Sequence, residues 1–280
     1  MITARRSTLD IKKYLSLLAL VVLALVMLYP LAIVGLNAFK SPQDYASHGP
    51  MTFPIHFYFD GIVSFWTRVN FGNKLINSAV ISLSVAVLGV LLSLLNAFAL
   101  GIGKVKGTTF LLVIFLLGNF LPQEALVYPL YYLAKAVKLY DTQVAVILVF
   151  TVIQSAFGTY LLTSVFSQFP RELIEAAMID GANKFHLLTR IVLPISMPTL
   201  SVLFVFFFIW TWNEFFLPLI LLVSSINQTV PIAIATLQGQ HNMDVTTSAA
   251  SALLGLLPCI IFFLLFQRTL TRGITAGSIK

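Results

Sequence analysis

From Tyr14 to Phe39 the chain runs 26 residues without a charge, and five further stretches are nearly as apolar. A helix that crosses a bilayer needs about 20 mainly apolar residues. In hydrocarbon the backbone must satisfy its own hydrogen bonds, so such stretches fold as helices. The segments 14–38, 75–100, 109–133, 142–166, 199–223 and 246–267 meet that test. They predict an all-α polytopic membrane protein with six transmembrane helices. Pro122 and Glu124 interrupt the third segment, and Gln154 and Ser155 lie within the fourth.

Only 10% of the residues are charged, against about 25% in a soluble domain. The chain cannot cover itself with polar surface, so lipid is its solvent. The net charge of +7 does not point to nucleic acid, because the basic residues sit at the ends of the apolar runs, where they set topology. The first run is too long for a signal peptide and is read as an uncleaved span. Cys259, the one cysteine, excludes an intrachain disulfide and a thiolate cluster; inside an apolar run it reads as a small buried residue.

Lysine and arginine placement fixes the expected orientation. With residues 1–13 in the cytoplasm, twelve basic residues fall inside and five outside, so both termini are expected in the cytoplasm. Residues 39–73, rich in aromatics and proline, then form an extracytoplasmic cap. Residues 74–267 carry the other five spans, with a cytoplasmic loop at 167–198, and 268–280 form a cytoplasmic tail. His48 and His56 in the cap lack metal-ligand spacing. The stretch "GIGKVKGTT" (101–109) imitates a phosphate loop, but Val105 stands where Ser or Thr is required. It reads as a tight turn.

The loop 167–198 is the polar exception. It gathers Arg171, Glu172, Glu175, Asp180, Lys184 and Arg190. Pro170 suits a helix start, Glu172 and Glu175 face the positive end of the dipole, and Gly181 suits a left-handed stop. A second helix is expected from Ala182 or Asn183 to Leu193, with Pro194 and Pro198 punctuating it. Ala176 and Ala177 beside Glu175 allow close approach to a partner that offers a cation. An amphipathic helix lying on the membrane explains the same residues.

The stretch "EAAMIDGANKFHLLTRIVLP" resembles the EAA motif of ABC importer permeases. Glu175, Ala176, Ala177, Asp180, Gly181, Ala182, Phe185, Ile191, Leu193 and Pro194 match it. "NSAVISLSVAVLGVLLSLLNAFAL", "WTWNEFFLPLIL" and "RGITAGSIK" resemble the carbohydrate branch, above all the smaller six-span permease of maltose-type importers. The resemblance implies a type I ABC importer permease fold. It also implies a sugar importer (oligosaccharide or disaccharide class) of the bacterial or archaeal cell membrane, in which this subunit is not an enzyme. Residues 170–193 would be the coupling helix, and the tail would reach the ATPase. The implied partners are a second, different permease subunit, two cytoplasmic ATPase subunits and an extracytoplasmic sugar-binding protein. The chain would bind no cofactor; ATP and Mg would sit on the ATPase.

Glu214 lies within the fifth span, beside Trp210, Trp212 and Asn213. A carboxylate in a span is costly and faces a bundle interior or a wet cavity. Pro218 removes the donor for the Glu214 carbonyl, so a break is expected there. Amides, carboxylates and aromatic faces suit sugar binding. The same polar groups would also serve to satisfy freed backbone. Gln123 and Glu124 after Pro122 form a second such cluster. A self-contained ion-coupled transporter using Glu214 is the rival reading; it leaves the charged insert unexplained and calls for inverted repeats that the sequence does not show. A membrane enzyme finds no nucleophile set or metal cluster.

Overall fold

A computed structural model describes every residue except Met1, Lys104, 239–243 and 277–280; side-chain surroundings are also left aside for 2–11, 237–238 and 269–276. The described residues form helices and no strand. They are α1 (Ile2–Ala38), α2 (Pro42–His48), α3 (Asp60–Arg68), α4 (Phe71–Ala97), α5 (Thr108–Phe120), α6 (Gln123–Ala136), α7 (Gln143–Phe166), α8 (Arg171–Ile179), α9 (Lys184–His186), α10 (Leu193–Asn213), α11 (Phe216–Leu221), α12 (Val230–Gln238) and α13 (Val245–Ala276). Five helical stretches are long and apolar enough to cross a membrane. The pair α5 and α6, bent by 97° at Leu121–Pro122, supplies a sixth when taken as one broken span.

Residues 1–69 with 236–257 form one unit, and 70–235 with 258–280 another. In the first, the cap is clipped to the last turn of α1. Asn37 Nδ2 donates to the Pro50 carbonyl at 3.0 Å, and the Tyr58 amide donates to the Phe39 carbonyl at 2.9 Å. Lys40, counted above among the outer charges, is wholly buried, and its ammonium donates to the Gly49 carbonyl at 2.7 Å and to Thr52 Oγ1 at 3.1 Å. A cation taken out of water needs such partners. His48 lies 3.0 Å from the Asp44 carboxylate four residues back. Asp244 caps α13, accepting from the Thr247 amide at 2.7 Å and from the Thr246 hydroxyl at 2.6 Å.

In the second unit α4, α7 and α10 make the core. Asn77 meets Gln143, Ser93 meets Ser155, Asn96 meets Thr159, and Gly101 meets Phe166. The numbers rise together, so α4 and α7 run parallel. Phe207 lies against Gly89 and Gly158, and Thr211 against Gln154; as numbers rise in α10 they fall in α7, so α10 runs antiparallel to both. At the N-terminal ends of α4 and α7 a polar clasp holds residues 221–230. Lys74 donates to Ser225, Asn77 to the Ile226 carbonyl at 2.7 Å, and Asp141 accepts from the Ser224 amide at 2.9 Å and from its hydroxyl.

Candidate functional site

Two places gather the polar residues that the sequence singled out. The first is the charged insert. Helix α8 starts after Pro170, whose extended backbone (ψ 122°) turns the chain into the helix. It ends in a Schellman motif: the Gly181 amide donates to the Met178 carbonyl at 3.1 Å, and the Ala182 amide to the Ala177 carbonyl at 2.9 Å. Gly181 has φ +80°, a region that favours glycine. Asn183 then caps the next helix, its side chain accepting from the His186 amide at 2.9 Å.

That second helix does not end near Leu193. It widens into a π-helical segment over Leu187–Val192 and continues as α10, so Lys184–Asn213 is one helical stretch. In a π turn a carbonyl reaches the amide five residues on instead of four. The Leu193 amide donates to the Leu188 carbonyl in this way, and the helix runs on through both Pro194 and Pro198.

The two alanines part company. Ala176 is exposed, but Ala177 is buried and faces inward. Glu175, Asp180 and Gly181 are exposed, and Ala182 is partly covered. Phe185 is 70% exposed, Ile179 85% and Met178 55%. With Leu173, four large apolar side chains thus stand out of the charged insert. Met178 and Ile179 were missed in the sequence. Their signal was there: two apolar residues directly before a glycine stop, in a helix expected to face water. Ala177, Ala182, His186 and Arg190 line a cleft of about 420 Å³ beside the turn.

The second place is a cavity of about 200 Å³ in the helical core, lined by Asn119, Gln123, Phe150, Gln154, Trp210 and Glu214 among others. The expected break is present. Helix α10 stops at Asn213, Glu214 is extended (ψ 129°), and α11 begins at Phe216. Pro218 cannot donate to the Glu214 carbonyl, so the helix restarts with the Leu219 amide on the Phe215 carbonyl at 2.9 Å. The break in the third span places Gln123 at the first turn of α6, and its Nε2 donates to Glu214 Oε1 at 2.9 Å. The two interrupted spans therefore meet, carboxylate to amide.

The remaining candidates divide. Trp210 is 40% exposed and stacks on Phe206, with centroids 5.7 Å apart and planes at 16°. Gln154, placed only by its polarity in the sequence, lies in the cavity wall. Three others do not line it. Trp212 is buried and stacked on Phe208. Asn213 donates to the Ile209 carbonyl of the last turn of α10 at 2.7 Å. Glu124 is exposed. Cys259 is half-buried with its sulfur 3.9 Å from Asn213 Nδ2, less enclosed than a core cysteine. No group of three or more metal-ligating side chains occurs among the described residues. The role read into the tail falls largely outside them.

Comparison with known proteins agrees with this architecture. The chain is 31% identical over 252 residues to a probable ABC transporter permease protein, YurM, of Bacillus subtilis, covering 90% of this chain and 83% of that one. It is 32% identical over 212 residues to the trehalose transport system permease protein SugB of Mycobacterium tuberculosis, covering 75% and 77%. Its fold matches a solved bacterial ABC transporter involved in the import of the acidic polysaccharide alginate, with a TM-score of 0.80 at 18% identity over 92% of this chain and 96% of that one. The relatives are transport proteins of membranes and not enzymes. Residues 10–276 match the family model for the binding-protein-dependent transport system inner membrane component, and the chain belongs to that family.

Proposed function

We propose that this chain is the permease subunit of an ATP-driven sugar importer, that its insert docks on a cytoplasmic ATPase, and that the Glu214 cavity lies on the sugar pathway. One observation carries the docking reading. Met178 and Ile179 stand exposed on the helix that carries Glu175, which the turn at Gly181 closes, and Phe185 stands exposed on the helix after that turn. Apolar groups in water beside a charge call for a partner surface, and a rigid helix transmits its motion. The same placement weakens the membrane-surface alternative, because Glu175 and Asp180 are exposed on the same short segment. The sugar class is supported by a relative named for trehalose transport. The assembly then comprises a second permease subunit, two ATPase subunits and an extracytoplasmic binding protein, with ATP and Mg held by the ATPase. Residues 1–13, the insert and the tail lie in the cytoplasm.

Glu175→Lys is the direct test. It should leave assembly intact and abolish both sugar uptake and substrate-stimulated ATP hydrolysis, because like charges would then face each other at the docking surface. Unchanged stimulation in a fully assembled variant removes Glu175 from the interface. The ion-coupled alternative is tested alongside. Uptake by this chain alone, driven by a proton or sodium gradient and lost in Glu214→Gln, would replace the importer reading.

A further inference from the structure

The cavity beside Glu214 has a chemical bias. Asn119, Gln123 and Gln154 line it, and in each one amide N–H is given to an acceptor. Asn119 Nδ2 donates to the Phe115 carbonyl at 3.0 Å, and Gln123 Nε2 to the Glu214 carboxylate at 2.9 Å. Gln154 Nε2 donates to Thr211 Oγ1 at 2.8 Å, and that hydroxyl has already given its own proton to the Phe207 carbonyl at 2.8 Å. These partners fix which end of each amide is nitrogen; each nitrogen keeps a second N–H, and the oxygens point the other way.

Gln154 is 6% exposed, and its Oε1 has no hydrogen-bond partner. A buried acceptor left alone costs free energy and calls for a donor. Glu214 has a second carboxylate oxygen, and no lysine, arginine or histidine lines the cavity among the described residues. Helix α6 begins at Gln123, so the positive end of its dipole is already answered by the Glu214 carboxylate.

We propose that this cavity is a charge-selective saccharide subsite, in which Gln154 and Glu214 accept protons from the hydroxyl or ammonium groups of a sugar unit and Glu214 excludes carboxylated or phosphorylated ones. The proposal rests on the reading that this chain lines a sugar pathway. A neutral sugar brings hydroxyl donors to the orphaned acceptor and a C–H face to Trp210. An anionic sugar meets the like charge of Glu214 with no lysine, arginine or histidine in the lining beside it. Rejection by an unpaired like charge is selection against the wrong solute, not affinity for the right one.

The test uses the assembled importer in nanodiscs, with both permeases and the ATPase but without the binding protein, so that the partner's own selectivity does not enter. Saturation-transfer NMR is recorded with three probes: maltotriose, the glucosamine trimer and trigalacturonate. Maltotriose and the glucosamine trimer should receive saturation, and trigalacturonate should receive roughly tenfold less, the scale of one like-charge contact at a partly wet site. Glu214→Gln, which keeps shape and one acceptor, should bring trigalacturonate up to the maltotriose level while maltotriose transfer persists. Gln154→Leu should lower maltotriose transfer. Equal transfer from all three probes to the unaltered protein overturns the charge selection and leaves the pathway reading standing, as does continued exclusion of trigalacturonate by Glu214→Gln. Transfer to none of the three overturns the subsite and the pathway reading together.

Discussion

At the scale of single residues, Gly158 shows how little room the core leaves. A Cβ there would lie 2.2 Å from Ser93 Oγ and 2.9 Å from the Phe207 ring. Ser93 cannot swing aside freely, since its hydroxyl donates to the Gly89 carbonyl at 2.6 Å and lies 3.3 Å from the Ser155 carbonyl. The glycine is there so that α4 and α7 can touch, with the ring of α10 closing over both. Gly158→Ala should therefore destabilise the fold by roughly 1–3 kcal/mol, the usual cost of overpacking. A thermal-shift measurement in detergent should show a lowered Tm, and Ser93→Ala should restore part of it by removing the clashing oxygen. An unchanged Tm in the single variant would mean that α4 and α7 are not packed this closely. Nothing in the sequence marked Gly158: it is one glycine in an apolar run, and only the parallel pairing of two distant helices gives it a neighbour.

At the scale of elements, the insert and the Glu214 break were legible because their causes are local. A proline start, a glycine stop and a proline four residues after a carboxylate act within one or two turns. The clasp on residues 221–230 was not legible, because it joins side chains some 80 to 150 positions apart. Lys74 looked like an outer topology charge; it is 2% exposed and bound to Ser225. The clasp also has a predictable acid limit. The Ser224 hydroxyl, and then its amide, hold the Asp141 carboxyl below its ordinary 3.8, against a smaller opposing effect of burial. A carboxyl depressed in the folded state adds stability that is fully present above its unfolded value and is lost as pH falls through the folded one. Hydrogen exchange at 222–228, corrected for intrinsic rates, should be flat from neutral pH down to about 4 and rise only below it. Asp141→Asn should show the faster exchange already at neutral pH. A transition near pH 6 would assign control of this loop to some other group.

At the scale of the whole molecule, the open question is how many times the chain crosses. The bent pair α5 and α6 is either one broken span or a loop that enters and returns. The clasp decides between them. Asp141 and Gln143 begin α7 and lie beside Asn77 near the start of α4, through Gln143 Nε2 on Asn77 Oδ1 at 2.7 Å and the shared hold on residues 224–228. Helix α4 carries the chain to its far end, where Gly101 meets Phe166 at the end of α7. Gly103 lies at that far end and residue 141 is back at the near one, so α5 and α6 together must cross. The bent pair is then one broken span, the sixth candidate crossing. Single cysteines in a Cys259→Ala background test the parity. An impermeant maleimide added to cells with the outer membrane opened should label Ala136→Cys but not Lys106→Cys or Gln168→Cys. All three should label once the inner membrane is breached. If Ala136→Cys shares the protection of Lys106→Cys, the pair returns to its own side. The parallel run of α4 and α7 could not then exist in a bilayer.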